Sequence, residues 1–245
     1  MKSYGLTDRG KVRAENQDSF VIETIETREC LAAVLCDGMG GASAGSIAST
    51  LASKTFMNYL VDRIMASRAK NPDIKRHMTN ACNKANDIVY SYSRFNPDYA
   101  GMGTTMVAAT IMGHTAFIAN VGDSRAYVIS RKKITQITKD HSYVQELVDK
   151  GIITPEKAKT HPKKNVILQA LGSEDGVKCD IFTHKLARGE RLLLCSDGLT
   201  NMLSDEEILE VSQANKTPEN LCKKLIELAL EAGANDNVTV VTLSR

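Results

Sequence analysis

Three apolar runs, each joined to an aspartate, constrain this chain more than any other feature of its sequence. Leu31-Ala32-Ala33-Val34-Leu35-Cys36 stops at Asp37, and Leu192-Leu193-Leu194-Cys195-Ser196 stops at Asp197. Asp236 stands one residue before Asn237-Val238-Thr239-Val240-Val241. Short continuous apolar runs bounded by turn residues are the pattern of strands buried on both faces. Two further aspartates have similar settings: Asp123 follows Ala119-Asn120-Val121-Gly122, and Asp18 begins the short strand signal Ser19-Phe20-Val21-Ile22. One carboxylate at a strand end ordinarily caps a turn. Several gathered at one edge of a sandwich repel each other unless cations neutralise them.

Oxygen ligands without His or Cys suit hard divalent ions such as Mg²⁺ or Mn²⁺. Two such ions sharing a carboxylate lie about 3.5–4 Å apart and can activate a water while stabilising phosphoryl charge. Gly38 leaves room for a backbone carbonyl to turn toward an ion, and Gly38, Gly40 and Gly41 are expected to form a sharp turn through positive φ. Arg13, on the loop before Asp18, is the nearest candidate anion binder, because a guanidinium fork matches two phosphate oxygens. The residues thus indicate a dinuclear metal site acting on a phosphate ester and leave monoester and diester both open.

The period of the sequence places these residues. A helical stripe runs through Ala48, Leu51, Ala52, Thr55, Phe56 and Tyr59, and a second through Met78, Ala81, Cys82, Ala85, Val89 and Tyr92. From Gly103 the period becomes that of strands, with segments 104–112, 115–121, 125–130 and 134–138 forming a meander that turns at Gly113-His114 and Arg131-Lys132. A polar, weakly helical segment occupies 142–165. Strands return near 179–184 and 191–195, followed by helices over 204–213 and 218–231 and a last strand over 238–243; Ser204 and Glu207 have the spacing of a capping box. Strands, two helices, many strands, two helices and a strand imply an α+β chain: two mostly antiparallel sheets packed together, with helix pairs outside. No linker, repeat or low-complexity stretch divides the 245 residues, so a single domain is expected.

Arg13-Ala14-Glu15-Asn16-Gln17-Asp18, Asp37-Gly38-Met39-Gly40-Gly41, Gly103-Thr104-Thr105, Gly122-Asp123-Ser124-Arg125, Asp140-His141-Ser142, Ser196-Asp197-Gly198-Leu199 and Asp236-Asn237-Val238-Thr239 occur in one order. The series resembles the PPM-type (protein phosphatase 2C-like) metal-dependent Ser/Thr phosphatases, in their compact bacterial form. That resemblance implies a four-layer αββα sandwich and hydrolysis of phosphoserine and phosphothreonine by direct attack of water activated at a dinuclear Mn²⁺ or Mg²⁺ centre. Carried over by position, Asp37 bridges the two ions, Asp197 and Asp236 hold the first, and the Gly38 carbonyl binds the second. Arg13 grips the substrate phosphate, Asp18 orients water, and Asp123 with Asp197 matches the pair that holds a weaker third ion. Residues 142–165 correspond to the variable flap beside the site, where His161 is a further candidate contact to substrate. The implied partners are phosphorylated Ser/Thr proteins and a cognate bacterial Ser/Thr kinase, and the protein is expected to be a monomer.

Two departures from the pattern bear on mechanism. Met39 stands where some animal members have a histidine, and methionine has no proton to donate. Gln17 replaces a glutamate of some relatives and brings no charge to the second ion. His141 reads as structural, fixing the turn after the meander. The net charge of +2 and the lack of a basic groove argue against a two-metal nuclease and against nucleic acid as partner. Retention of every expected metal-ligand aspartate argues against a non-catalytic binding module. No apolar stretch of 18 residues occurs and no cysteines are spaced C-x-x-C, so a cytoplasmic, reduced protein without a membrane anchor is expected, its cysteines buried free thiols.

Overall fold

In the computed structural model, which describes residues 1–41 and 43–245, strand alternation explains why the opening run is apolar on both faces. The strands are β1 (Lys2–Asp8), β2 (Asp18–Ile25), β3 (Cys30–Met39), β4 (Gly103–Thr104), β5 (Met106–Met112), β6 (Thr115–Val121), β7 (Arg125–Ile129), β8 (Ile134–Gln136), β9 (Asp180–Lys185), β10 (Arg191–Cys195) and β11 (Val238–Ser244). One sheet has the order β1-β11-β10-β7-β8; the other has β2-β3-β5-β6-β9, with β4 paired to β3. Every strand pairing among the described residues is antiparallel.

Leu31, Ala33 and Leu35 point between the sheets, where they meet Val107, Leu192, Leu194 and Val241. Cys30, Ala32, Val34 and Cys36 point the other way, onto α1 (Ala44–Ala66) and α2 (Ile74–Phe95). Small residues of α1 (Gly45, Ala48, Ser49, Ala52 and Ser53) are buried there and let the helix lie close to the sheet. The first sheet is covered by α6 (Asp205–Ala214) and α7 (Pro218–Glu231), through Ile208, Leu221, Leu225 and Ala229. The result is an αββα sandwich. Ser204 caps α6 with the full capping box, its hydroxyl accepting from Glu207 N while Glu207 accepts from Ser204 N.

Three local expectations need correction, and one strand was not read from the sequence. β1 was not legible as a separate strand because it lies at a sheet edge with no fully buried residue. The strand expected over 104–112 is interrupted at Thr105, whose N–H and hydroxyl turn to Asp37 instead. β3 continues through Asp37 to Met39, so the turn starts only at Gly40, which alone of Gly38, Gly40 and Gly41 has positive φ. Finally, Asp197 opens a helical turn, α5 (Asp197–Thr200), rather than a plain strand end. The 142–165 segment contains α3 (Tyr143–Asp149) and α4 (Pro155–Lys159). It is tied at its base by a Ser142–Ile167 bridge and by Tyr143 N donating to Val166 O.

Candidate active site

Period-two alternation carries the Leu31, Ala33, Leu35 series on to Asp37, at the edge of the space between the sheets. Asp18 is its direct cross-strand partner in the β2–β3 ladder. From the other sheet, Asp197 follows β10 and Asp236 precedes β11, and these two strands are neighbours. Asp123 follows β6. The topology thus brings strand ends distant in sequence to one rim, where a cavity of about 520 Å³ is lined by Asp37, Asp123, Asp197 and Asp236. Arg13, Gln17, Gly38, Met39 and Lys164 complete its wall.

Asp18 lies beneath the cavity surface. Its Oδ2 accepts from Ser196 Oγ (2.9 Å) and Thr239 Oγ1 (2.6 Å), while Oδ1 is buried with no hydrogen-bond partner among the described residues. Asp123 Oδ1 is orphaned in the same way. Asp37 is clamped through its backbone: its N–H donates to Thr105 Oγ1 (3.1 Å), and its carbonyl accepts from Thr104 Oγ1 (2.8 Å) and Thr105 N (2.9 Å). Thr105 Oγ1 and Ser124 Oγ are 2.7 Å apart, which joins the Asp37 and Asp123 loops. Asp197 accepts from Asn201 Nδ2 at 3.0 Å.

Crowding of like charges in a poorly hydrated rim raises the carboxyl pKa values. Burial, offset in part by its two hydroxyl donors, pushes Asp18 up to about 7. Burial and then the Asp197 charge push Asp123 up to about 8. Asp37 lies well above the usual carboxylate range, through burial and then the charges of Asp18 and Asp197, and Asp197 is raised by burial and then by Asp236. Arg13 compensates in part. Its guanidinium bonds Asp236 Oδ2 at 2.8 Å, which raises its own pKa and keeps it charged.

An oxygen-only donor set, a cluster of buried carboxyl groups and two orphaned carboxylate oxygens are what a hard-cation site provides. The donors present therefore fit divalent ions.

The sequence profile of the family described as Protein phosphatase 2C matches residues 9–228 of this chain. The chain belongs to the protein phosphatase 2C family. It is 37% identical over 240 residues to the serine/threonine phosphatase stp of Listeria monocytogenes, with 98% of this chain and 94% of the relative covered. The structure of Stp1, a serine/threonine phosphatase of Staphylococcus aureus, superposes with a TM-score of 0.90 at 39% identity, covering 99% of this chain and 94% of that one. The catalytic domain of the serine/threonine protein phosphatase PstP, in complex with two manganese ions, superposes with a TM-score of 0.84 at 36% identity, covering 98% and 96%.

Within this protein phosphatase 2C chain, the structure does not bring His161 to the cavity wall. Its ring lies 6.0 Å from that of Tyr143, and its Nδ1 accepts from Lys163 N. Lys164, three residues on, reaches the cavity instead, with Nζ 3.4 Å from Asn201 Oδ1. Nothing in the polar 142–165 segment distinguishes Lys164 from its neighbouring lysines, so only the fold reveals it. Asn237 was also missed as a functional residue, although it follows Asp236 in the motif. Its side chain accepts from Gln17 N (2.8 Å) and donates to Arg9 O (2.8 Å) and Glu15 O (2.9 Å), clamping the loop that carries Arg13. His141 holds the Asp123 loop: its Nδ1 accepts from Gly122 N and its Nε2 faces Asp180 Oδ2, each at 3.1 Å.

Proposed function

We infer that this chain is a metal-dependent protein serine/threonine phosphatase, a phosphoric monoester hydrolase acting on phosphoserine and phosphothreonine and opposing bacterial Ser/Thr kinases. The observation that carries this reading is the convergence of Asp18, Asp37, Asp123, Asp197 and Asp236 on one rim beside Arg13, in a chain similar over nearly its whole length to serine/threonine phosphatases. Monoester chemistry follows from that likeness; the carboxylates alone suit a diester equally well.

Asp37 would serve both Mn²⁺ or Mg²⁺ ions, Asp197 and Asp236 the first and the Gly38 carbonyl the second, and Asp123 with Asp197 would hold a weaker third. When bound, the ions supply Lewis-acid stabilisation of phosphoryl charge and lower the pKa of water at the site. The protein does the rest. Arg13 remains charged at any working pH, and a fork that keeps Asp236 on one nitrogen still has donors for two phosphate oxygens. Asp18, fixed by Ser196 and Thr239, presents its second oxygen as an acceptor that orients the attacking water. Met39 lines the cavity but has no proton to give, so the departing alkoxide takes its proton from water or from another residue.

The whole chain is read as one domain with a flap over 142–165, acting as a monomer on phosphorylated proteins in the cytoplasm. No helix among the described residues is long and apolar enough to cross a membrane. The decisive experiment is hydrolysis of p-nitrophenyl phosphate and a phosphothreonine peptide with Mn²⁺, Mg²⁺ or chelator. Activity should require the ion and disappear in a folded Asp37→Asn variant. Absence of activity with either metal, or full activity in Asp37→Asn, would overturn the assignment.

A further inference from the structure

A separate cavity lies at the opposite end of the sandwich from the carboxylate rim. β10 starts in it at Arg191 and ends two residues before Asp197, and β11 starts two residues after Asp236 and ends in it at Ser244. The seven residues of β11, at about 3.4 Å each, put about 20 Å between the two places. Its volume is about 540 Å³, within the range of about 300–1,000 Å³ usual for small-molecule sites. The walls come from the β7–β8 turn, the β9–β10 turn, the α6–α7 loop and the outer ends of β1 and β11.

The charge on these walls is one-sided. Lys2, Arg131, Arg191 and Lys216 line the cleft from four different elements, and none of them forms an ion pair among the described residues. Lys2, Arg131 and Lys216 are exposed, whereas Arg191 is half-buried at the head of β10, paired with Ile129 and Ser244 in the ladder. Its guanidinium donates to Asn215 O at 2.7 Å, and burial lowers its pKa with no carboxylate to offset the cost. A guanidinium drawn partly out of water without a counter-charge gains when an anion arrives. Glu190 is the one acidic side chain on the wall among the described residues, and it is already engaged: it accepts from Ala187 N at 2.9 Å and stands 3.0 Å from His184 Nε2. Glu219, in the first turn of α7, is held by Lys223 at 2.7 Å. Arg245, at the edge of the cleft, has its guanidinium against His114.

The described lining contains no aromatic side chain on which a base or sugar ring could stack, so charge is the feature it can recognise. One small monoanion cannot meet four cations carried on four elements. A chain of linked phosphates spreads its charge over several oxygens and offers the oxygen pairs that a guanidinium fork matches. We propose that this cleft is a binding site for a small polyphosphate anion, separate from the reaction site. It uses no residue of the carboxylate rim and stands whether or not the phosphatase reading does.

The test is calorimetric titration of tripolyphosphate into the full chain in excess Mg²⁺, which keeps cations available to the rim. Saturable one-to-one binding is expected, and it should weaken as salt is raised. Arg131→Glu and Lys216→Glu reverse exposed charges away from the core, and each should weaken binding by at least about tenfold. Arg191→Gln should do the same, with a thermal melt to confirm that it folds. Arg13→Ala, on the distant rim, should change binding by less than about twofold, because the separation exceeds a screening length. Citrate, a polyanion built from carboxylates, should bind at least about fivefold more weakly than tripolyphosphate. Binding that survives both Arg131→Glu and Lys216→Glu, or that Arg13→Ala abolishes, would put the anion elsewhere and overturn the proposal. So would an absence of binding at low salt. Equal affinity for tripolyphosphate, citrate and sulfate would show an adventitious ion only and would overturn it as well.

Discussion

Gly38→Ala tests how the site is built without touching a carboxylate. A Cβ added at Gly38 would stand 2.0 Å from the Gly45 carbonyl oxygen, 2.5 Å from its carbon and 2.7 Å from the Gln17 carbonyl oxygen. All three are backbone atoms, so no rotamer change relieves the clash. Ordinary contact begins at about 3.4 Å, so β3 and the first turn of α1 must separate by about 1.4 Å. Overpacking of this kind costs about 1–3 kcal/mol, which in a chain of this length lowers Tm by roughly 2–12 °C at about 2–4 °C per kcal/mol. The catalytic effect should be larger, because Gly38 adjoins Asp37 and a misplacement of about 1 Å can cost about 100-fold in rate. Gly41→Ala is the internal control: the same motif supplies the residue, its φ is not left-handed, and an added Cβ meets nothing within 4 Å. Thermal melts and steady-state kinetics with p-nitrophenyl phosphate in saturating Mn²⁺ read both effects. If Gly38→Ala behaves like Gly41→Ala, the close approach of the strand end to α1 does not position Asp37 and the argument fails.

The remaining predictions concern charge and loop order. Arg13→Ala should raise KM for phosphopeptides by about tenfold or more while changing Mn²⁺ affinity by less than about threefold, since its substrate partner is phosphate; unchanged KM would reject its role. Asn237→Ala removes three hydrogen bonds to the loop that carries Arg13, so it should lower stability by about 2–3 kcal/mol and raise KM, whereas a purely structural role would lower Tm alone. In chelator, stability should fall as pH rises from about 4 to about 8. Asp18 titrates near 7 and Asp123 near 8 in the folded chain, against about 4 when unfolded, so the native state holds protons that the unfolded chain has released, and that stability is lost as pH rises through the folded values. Melts in chelator that rise across this window would contradict the raised carboxyl pKa values.

The fold and the site were legible in the sequence to different depths, for a physical reason. The double-sided burial of β3, β10 and β11 favoured apolar residues at most positions, and that pattern is visible in one dimension. β1 was not, because an edge strand with no fully buried residue can alternate loosely among Lys2, Tyr4 and Thr7 without cost. The aspartates could be picked out because each interrupts an apolar run. Which of them sit beside each other could not, since Asp18 faces Asp37 only through the register of one ladder. Gly38 was expected to turn a carbonyl toward an ion; its structural necessity is the passage of α1 at backbone distance. Lys164 and His161 show the limit most clearly. Both are polar residues of one flap, and only the three-dimensional path of the chain separates the one at the cavity wall from the one beside Tyr143.

The same cluster that makes the site is a liability to the fold, and the surrounding residues show how it is contained. Five carboxylates at one rim destabilise the native state wherever they are ionised and unneutralised. Around them the chain spends hydroxyls rather than cations: Ser196 and Thr239 on Asp18, Thr104 and Thr105 on the Asp37 backbone, Ser124 joining the two loops. Hydroxyls fix geometry while leaving the charge uncancelled, so the negative potential stays available to incoming ions. Arg125 acts on the Asp123 and Asp197 charges but is held by Asp140, and Arg13, on the cavity wall, is 54% exposed in its side chain and bonds Asp236. A buried arginine in its place would stabilise the metal-free protein and weaken the very site it neutralised. Charge that the fold leaves unbalanced is therefore what couples cation binding to stability, and the gain in Tm on adding Mn²⁺ should grow as pH rises and protons stop competing for the same oxygens.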